Sequence, residues 1–235
     1  MLSPTNDGSG PLRRRSQPRD PDGEAKQRRR ELIASYRETV ATLTRAIPYK
    51  DGETGAHMGR ISYYSVELAN TLGLDREFCD AIHYASPLYD VGKLAIPEAI
   101  LFKPDAFDAH ESKVMKSHAA LGAKLLRGTE SPYLIMGAEI AGGHHECWDG
   151  SGYPLGLKGE AIPLTARIVN ICDQYDALLS RRPYKQAYAY EKVLEIITVG
   201  DGRTLPSHFD PAVLGAFQQC NGRLREIFEA HKDKD

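Results

Sequence analysis

The 235-residue chain is 41% apolar and 26% charged, with a formal net charge of −2. These values are ordinary for a soluble globular protein, and the charge gives no argument for a nucleic acid polymer as partner or for insertion into an anionic membrane. No apolar run approaches membrane-spanning length and no signal peptide is visible, so we expect a cytoplasmic protein. Four cysteines without a CxxC pair indicate neither a thiolate zinc site nor a disulfide framework.

The N-terminal part of the chain changes character near residue 27. Residues 1–26 are rich in Pro, Gly, Ser and Arg and poor in apolar side chains, which predicts a disordered basic tail. Over 27–49 apolar residues recur at steps of three and four, which predicts an amphipathic helix that packs on the core or on a second copy of itself. Residues 27–235 are therefore interpreted as one helical domain.

Two further helices are predicted before the first group of potential ligands. One covers about 54–72, and i to i+4 spacing places Glu53 and His57 side by side at its start. The next covers about 75–88 and is ended or kinked by Pro87. The sequence Tyr-Asp-Val-Gly-Lys at 89–93 then follows from a distorted helix end.

A fourth helix is predicted to open with a capping box at Asp108 and to run to about residue 125. Its apolar stripe includes His118, which therefore points inward. A buried histidine needs partners for both ring nitrogens, and a metal ion with one hydrogen bond would provide them. A lone inward histidine is more often a hydrogen-bonded core residue.

The fifth predicted helix opens with Ser131-Pro132 and leads into the stretch His-His-Glu-Cys-Trp-Asp-Gly-Ser-Gly-Tyr-Pro, which begins with His144 and His145. A sixth helix begins after Pro163 and places Asp173 among buried positions, where a carboxylate must be paired or bound to metal. Two more helices, about 190–199 and 211–230, follow. No run of alternating strands is visible, which predicts an all-α fold.

Seven imidazoles and carboxylates on several helices are candidate ligands of a polynuclear metal site. A mixture of imidazole and carboxylate favours Fe, Mn or Zn over Ca or Mg. The candidates are Glu53, His57, Asp90, His118, His144, His145 and Asp173.

The sequence resembles the HD-GYP family, a branch of the HD phosphohydrolases, over roughly residues 51–215. The resemblance is carried by Asp-Gly-Glu-Thr-Gly-Ala-His at 51–57, by the Tyr-Asp-Val-Gly-Lys sequence, by the HHECWDGSGYP stretch, and by Arg-Pro-Tyr-Lys at 182–185. It implies an HD-GYP-type helical bundle around two or three Fe or Mn ions. It further implies hydrolysis of cyclic di-GMP to pGpG or GMP by a metal-bridging hydroxide.

The resemblance also implies a role for individual residues. The seven candidates would be metal ligands, with Asp90 bridging two ions and acting in catalysis beside Lys93. Arg182 and Lys185 would hold the phosphates of the dinucleotide, and Tyr153 is assigned to substrate binding, although a plain tight loop is an equal alternative. Residues 27–49 resemble the linker that joins sensory domains to this family's catalytic part. We expect the regulatory signal to come from a homodimer, from a signalling protein partner or from the level of substrate.

One position departs from the family pattern, because Tyr89 stands where the family has the histidine of its His-Asp dyad. A phenol has an unperturbed pKa of about 10 and ligates well only as phenolate. Tyr89 therefore weakens one metal position, leaves it to water, or selects oxidised iron. The chain is then either a phosphodiesterase with altered metal use, or a catalytically weak relative that binds cyclic di-GMP or another protein. A phosphohydrolase acting on another nucleotide is a third alternative.

Overall fold

The computed structural model describes residues 21–47, 50, 55–180 and 187–232. Every regular element in these ranges is helical, which confirms the predicted all-α fold. The chain divides between Ser35 and Tyr36 into two units, and the second contains the hydrophobic core. The α-helices are α1 (Pro21–Ala46), α2 (Gly55–Thr71), α3 (Arg76–Ala85), α4 (Glu98–Leu101), α5 (Ala109–Lys116), α6 (His118–Leu126), α7 (Pro132–Gly143), α8 (Leu164–Leu179), α9 (Tyr190–Thr198) and α10 (Pro211–Ala230).

The core forms where α2 packs against α3, α8 and α10. Apolar residues recur along these helices at helical spacing, so each helix buries one face. Each fully buried aliphatic or aromatic side chain contributes about 1.5–3 kcal/mol to stability. The fully buried side chains include Ile61, Tyr64, Leu68, Ile168, Tyr175 and Phe217.

A second group of elements lies beside this core and carries Asp90 and His118. The helix α6 packs against α7 and against a short 3-10 segment, Val91–Ala95. Another 3-10 turn, Ser86–Leu88, contains Pro87 and separates that segment from α3. The third predicted helix therefore ends at Ala85, and the proline-containing turn continues the chain toward Asp90.

The fourth predicted helix is wrong as a single element, because the chain forms α5 and α6 with Ser117 between them. The Ser117 hydroxyl donates to the Val114 carbonyl at 2.6 Å, and its N–H reaches the carbonyls of Lys113 and Val114. A serine bonded to its own helix in this way competes with the regular backbone pattern. His118 thus begins α6.

The first helix also differs from its predicted bounds. It begins at Pro21, inside the stretch predicted to be disordered, and proline is well suited to a first helical position. The remaining part of the predicted tail, residues 1–20, lies outside the described residues. None of the helices in the described ranges is both long enough and apolar enough to cross a membrane.

Candidate metal centre

Asp90 is placed by the two 3-10 turns on either side of it and is only 4% exposed. A Cβ at Gly92 would lie 1.9 Å from the carbonyl oxygen of His118, so only glycine permits this approach of the Asp90 turn to α6. The Lys93 ammonium lies 2.7 Å from Oδ2 of Asp90. Burial alone would raise the pKa of Asp90, but the Lys93 ammonium beside it holds that pKa well below its usual range. Asp90 is therefore a buried carboxylate that keeps its charge.

The tautomers of His118 and His144 follow from their backbone partners. Nδ1 of His118 lies 2.7 Å from the Met115 carbonyl, and Nδ1 of His144 lies 3.1 Å from the Ala141 carbonyl. A carbonyl only accepts, so each Nδ1 carries a hydrogen. In a neutral ring, Nε2 then carries a lone pair, and this nitrogen is the atom that can bind a metal.

These lone pairs face one another and the carboxylate. The two Nε2 atoms are 3.4 Å apart. Oδ1 of Asp90 lies 3.2 Å from Nε2 of His118 and 3.6 Å from Nε2 of His144. Oδ1 is buried and accepts no hydrogen bond from the described part of the chain. Three atoms that each present a lone pair at such distances can share one cation. The residues therefore fit a metal ion.

His145 supplies the fourth donor. One donor atom from each of Asp90, His118, His144 and His145 lies within 4.8 Å of the others. The pKa of His145 is held well below its usual value, mainly by burial and secondly by the neighbouring His144. The ring therefore stays in the neutral form that metals require. Three imidazoles and one carboxylate suit a borderline transition-metal ion better than Ca or Mg. Within the described ranges no other group of three such residues is as close together.

The other predicted site residues do not belong to this four-residue group. His57 is buried, with Nδ1 2.7 Å from Asp176 Oδ2 and Nε2 2.7 Å from the Tyr89 hydroxyl. Asp173 is half-buried on α8. Glu53, Arg182 and Lys185 lie outside the described residues. Their roles, and those of the four clustered residues, stay predictions.

Tyr89 and Tyr153 both border the group. The Tyr89 ring meets the His144 ring edge-on, with centroids 5.1 Å apart. The Tyr153 ring stacks on His145 at 4.6 Å, and the Lys116 ammonium lies 5.0 Å from its centroid. A cleft of about 280 Å³ begins at His145 and Tyr153 and is continued by polar side chains, among them Gln174 and Arg203. This cleft gives the cluster access to a polar ligand.

Sequence reasoning missed the carboxylate that α8 buries completely, which is Asp176 rather than Asp173. Asp176 accepts from the guanidinium of the buried Arg60 at 2.7 and 2.9 Å, and from Nδ1 of His57. Burial would raise the pKa of Asp176, but Arg60 and then His57 hold it well below its usual range. A sequence signal existed, since Asp176 follows the buried Cys172 at helical i+4 spacing.

Glu146 and Asn170 were also missed, and both shape the chain after α7. The buried Glu146 carboxylate accepts from the backbone N–H groups of Leu155 at 2.7 Å and Leu157 at 3.0 Å. The Asn170 amide donates to the carbonyl of His144 at 2.8 Å. A Cβ at Gly152 would lie 2.3 Å from the backbone nitrogen of Cys147, so the Gly-Tyr-Pro segment folds directly over the histidine turn.

Comparisons with known proteins show the family of this chain and its fold. Residues 28–213 match the HD domain family. The chain belongs to the HD domain family. Solved HD domain structures share the fold: the chain matches a cyclic GMP-AMP specific phosphodiesterase of Vibrio cholerae with a TM-score of 0.60 at 20% identity, over 85% of this chain and 51% of that one. It matches an HDG"Y"P protein of Bdellovibrio bacteriovorus with a TM-score of 0.58 at 16% identity, over 81% and 64%.

Curated relatives of this HD domain chain are bacterial phosphodiesterases. The chain is 44% identical over 197 residues to the cyclic di-GMP phosphodiesterase response regulator RpfG of Xanthomonas campestris, covering 84% of this chain and 51% of that protein. It is 38% identical over 198 residues to a cyclic di-GMP phosphodiesterase of Thermotoga maritima, covering 84% and 53%. The HD domain chain thus spans about half the length of these relatives.

Proposed function

We propose that this chain is an HD-GYP-type, metal-dependent phosphodiesterase that hydrolyses cyclic di-GMP to pGpG or GMP. The observation that carries the proposal is the convergence of Oδ1 of Asp90 with the Nε2 atoms of His118 and His144 within 3.6 Å. This arrangement suits a bound metal ion, and metal-assisted hydrolysis is the chemistry that such a site supports. The relatives named as cyclic di-GMP phosphodiesterases support the substrate class.

The four clustered residues would hold an iron or manganese ion, which supplies Lewis acidity and lowers the pKa of water when it is bound. His118 and His144 are oriented by backbone carbonyls, so their lone pairs are fixed before any ion arrives. The charge of Asp90 is maintained in the buried site by Lys93. The resemblance to the family predicts two or three ions.

Lys93 has a second role in this proposal. Its ammonium lies beside Oδ2 of Asp90, and its side chain is 17% exposed, so a phosphate entering the site can reach it. A fixed cation there stabilises the negative charge that develops on phosphorus oxygens during displacement. Tyr153 borders the cleft and would contact a base or ribose, while Arg182 and Lys185 would hold the phosphates.

A second candidate function follows from Tyr89. Its hydroxyl is hydrogen-bonded to His57, which the family pattern assigns to the metals. Loss of one residue at a reacting centre commonly lowers turnover by orders of magnitude. The alternative is therefore a catalytically weak HD-GYP relative that binds cyclic di-GMP, or acts as a protein-interaction module. We further infer a cytoplasmic signalling role, with a homodimer or a signalling protein as partner, in line with the bacterial response-regulator relative.

Turnover of cyclic dinucleotides by the purified full chain tests the proposal. The chain is loaded with Fe(II) or Mn(II) under anaerobic conditions, and pGpG and GMP are separated chromatographically. Cyclic di-GMP is compared with 3'3'-cGAMP, because a relative 40% identical to this chain is a 3'3'-cGAMP-specific phosphodiesterase. We expect slow hydrolysis of cyclic di-GMP that requires metal and falls on the order of 10³-fold or more in Asp90→Asn.

Tyr89→His separates the two candidate functions. Equal turnover in the wild type and Tyr89→His would show that tyrosine is tolerated. Turnover in Tyr89→His alone, with cyclic di-GMP bound by both proteins in calorimetry, would favour the binding module. Metal-independent hydrolysis, or no binding of either dinucleotide, would refute the proposal.

A further inference from the structure

The hydrogen bonds of His57 distinguish it from the clustered histidines. Nδ1 of His57 lies 2.7 Å from Oδ2 of Asp176, and Nε2 lies 2.7 Å from the Tyr89 hydroxyl. Both partners are buried, Tyr89 at 1% exposure and Asp176 at 0%. The three side chains form a continuous hydrogen-bonded series from the turn before Asp90 to the core of α8.

The direction of these hydrogen bonds follows from Asp176. Arg60 donates to both of its oxygens, at 2.7 and 2.9 Å, which favours the ionised carboxylate. An ionised carboxylate only accepts, so Nδ1 of His57 carries a hydrogen. Nε2 of neutral His57 then accepts from the Tyr89 hydroxyl. In the protonated ring Nε2 donates to that oxygen instead.

Neither form leaves the Nε2 lone pair of His57 for a metal ion. His118 and His144 differ, because their Nε2 atoms face each other and Oδ1 of Asp90 across 3.2–3.6 Å. The histidines therefore differ in what their Nε2 atoms contact. Nε2 of His118 and of His144 faces Oδ1 of Asp90 and can bind a cation, whereas Nε2 of His57 is hydrogen-bonded to the Tyr89 hydroxyl.

We propose that this chain binds one metal ion tightly, at Asp90, His118, His144 and His145, and that the Tyr89 hydroxyl closes His57 to a second. The inference rests on the metal dependence of the proposed function and departs from the two or three ions that the resemblance implies. Binding of a second ion at His57 has to break the hydrogen bond to Tyr89. A phenol also replaces imidazole as the neighbouring donor, and a neutral phenol is a poor ligand for Fe(II) or Mn(II).

Metal content per chain tests this inference without any assay of activity. The full chain and its variants are loaded with Fe(II) or Mn(II) anaerobically, freed of loosely bound metal by gel filtration, and analysed by plasma mass spectrometry. We expect one ion in the wild type and in His57→Ala. In Tyr89→His a second ion should bind at least about tenfold more tightly than in the wild type.

Tyr64→Phe is the matched control. Tyr64 donates to Oδ1 of Asp176 at 3.0 Å, whereas His57 contacts Oδ2. Tyr64→Phe therefore removes a buried tyrosine hydroxyl from this hydrogen-bonded network and leaves the bond between Tyr89 and Nε2 of His57 in place. Its metal content should equal that of the wild type. Circular dichroism and thermal unfolding verify that each variant is folded before its metal is counted.

Two results would overturn the inference. One is a wild type that retains two or more ions and loses one of them in His57→Ala. The other is an intense visible absorption band of tyrosinate bound to Fe(III) after the Fe(II)-loaded protein is exposed to air, present in the wild type and absent in Tyr89→Phe. A wild type that binds one ion and shows no turnover would contradict the proposed function and leave this inference standing. A wild type that binds two ions and shows turnover would contradict this inference and leave the proposed function standing.

Discussion

Asp90 connects the two histidines of the centre to the Lys93 ammonium, and its position depends on a residue that touches no metal. Gly92 packs so closely on the backbone of α6 that a Cβ would overlap the His118 carbonyl and lie 2.5 Å from the nitrogen of Gly122. Backbone atoms at both contacts cannot move aside as a flexible side chain would. The geometry of the centre is therefore fixed by close backbone packing as well as by the ligands.

Gly92→Ala is expected to destabilise the fold by about 3 kcal/mol, since overpacking against backbone forces the Asp90 turn away from α6. Urea unfolding measures the loss, and metal affinity should fall with it. Gly222→Ala is the control, because Gly222 lies in α10 with nothing within 4 Å of an added Cβ. That variant should be unchanged or gain up to about 1 kcal/mol. Equal stability of the two variants would contradict the packing argument.

The Arg60–Asp176 pair gives a second prediction at the residue scale. Asp176→Asn leaves the buried Arg60 guanidinium without its counter-charge, which should cost about 3–5 kcal/mol in free energy of unfolding. The folded state lowers the pKa of Asp176 below its unfolded value, so the carboxylate's contribution is complete above that value and is lost as pH falls through the folded pKa.

Stability measured against pH checks this sign. The difference between wild type and Asp176→Asn should be constant near neutral pH and should shrink as pH falls below about 4, where unfolded aspartate begins to protonate. Protonated aspartic acid and asparagine both lack the negative charge that faces the Arg60 guanidinium, which is why the two curves converge. A difference that stays constant into acid would show that the charge of Asp176 does not stabilise the fold.

At the scale of elements, the segment after α7 is held by side chains rather than by regular structure. Glu146 accepts from the backbone of Leu155 and Leu157, while Asn170 on α8 donates to the carbonyls of His144 and Glu146. The motif's glutamate is thus engaged with the loop's own backbone. In the same loop the Tyr153 N–H donates to the His145 carbonyl at 3.1 Å, and the Tyr153 ring stacks on the His145 ring.

Glu146→Gln removes one charged acceptor from this loop. Hydrogen bonds to a charged group contribute about 1.5–3 kcal/mol, so we expect a loss within that range. Hydrogen exchange at the amides of Leu155 and Leu157 should accelerate more than the global loss explains. The exposed Glu160 provides the control, since Glu160→Gln should alter neither quantity. Unchanged exchange at both amides would mean that the loop is held by other contacts.

The same elements show what the sequence could predict. Helical periodicity and the cap at Asp108 predicted the all-α class and most helices, because each helix buries one face and begins at a recognisable residue. The break at Ser117 was not predicted, since it arises from a serine hydroxyl that bonds to its own helix. Local sequence does not reveal such competition between a side chain and the backbone.

The candidate centre was predictable in part for a similar reason. Helical periodicity indicated His118, and sequence motifs indicated His144 and Asp90, as candidate ligands; the structure brings these three side chains together. The buried role of Asp176 depends on Arg60, a residue 116 positions earlier in the chain. Pairing of charges on two facing helices is a tertiary property, so sequence periodicity, which missed Asp176, could at most have marked it as buried, without its partner.

For the whole molecule, the consequence is a centre whose donors come together only in the folded chain. Oδ1 of Asp90 and the Nε2 atoms of His118 and His144 lie within 3.6 Å of one another in a buried site. A ligand that binds only the folded state stabilises it by about 2.7 kcal/mol at a concentration of 100 Kd. The bound ion is held by donors that unfolding separates, so metal and fold should be thermodynamically coupled.

Thermal unfolding of chelator-treated protein should therefore depend on the metal that is added. Saturating Mn(II) is expected to raise Tm by roughly 5–10 °C in a chain of this size. Mg(II) should raise it much less, because it prefers oxygen ligands and three of the four donors here are imidazoles. The double variant His118→Asn, His144→Asn should lose the Mn(II) effect. An equal shift with both metals, or a shift that survives in the double variant, would place the stabilising ion elsewhere on the molecule.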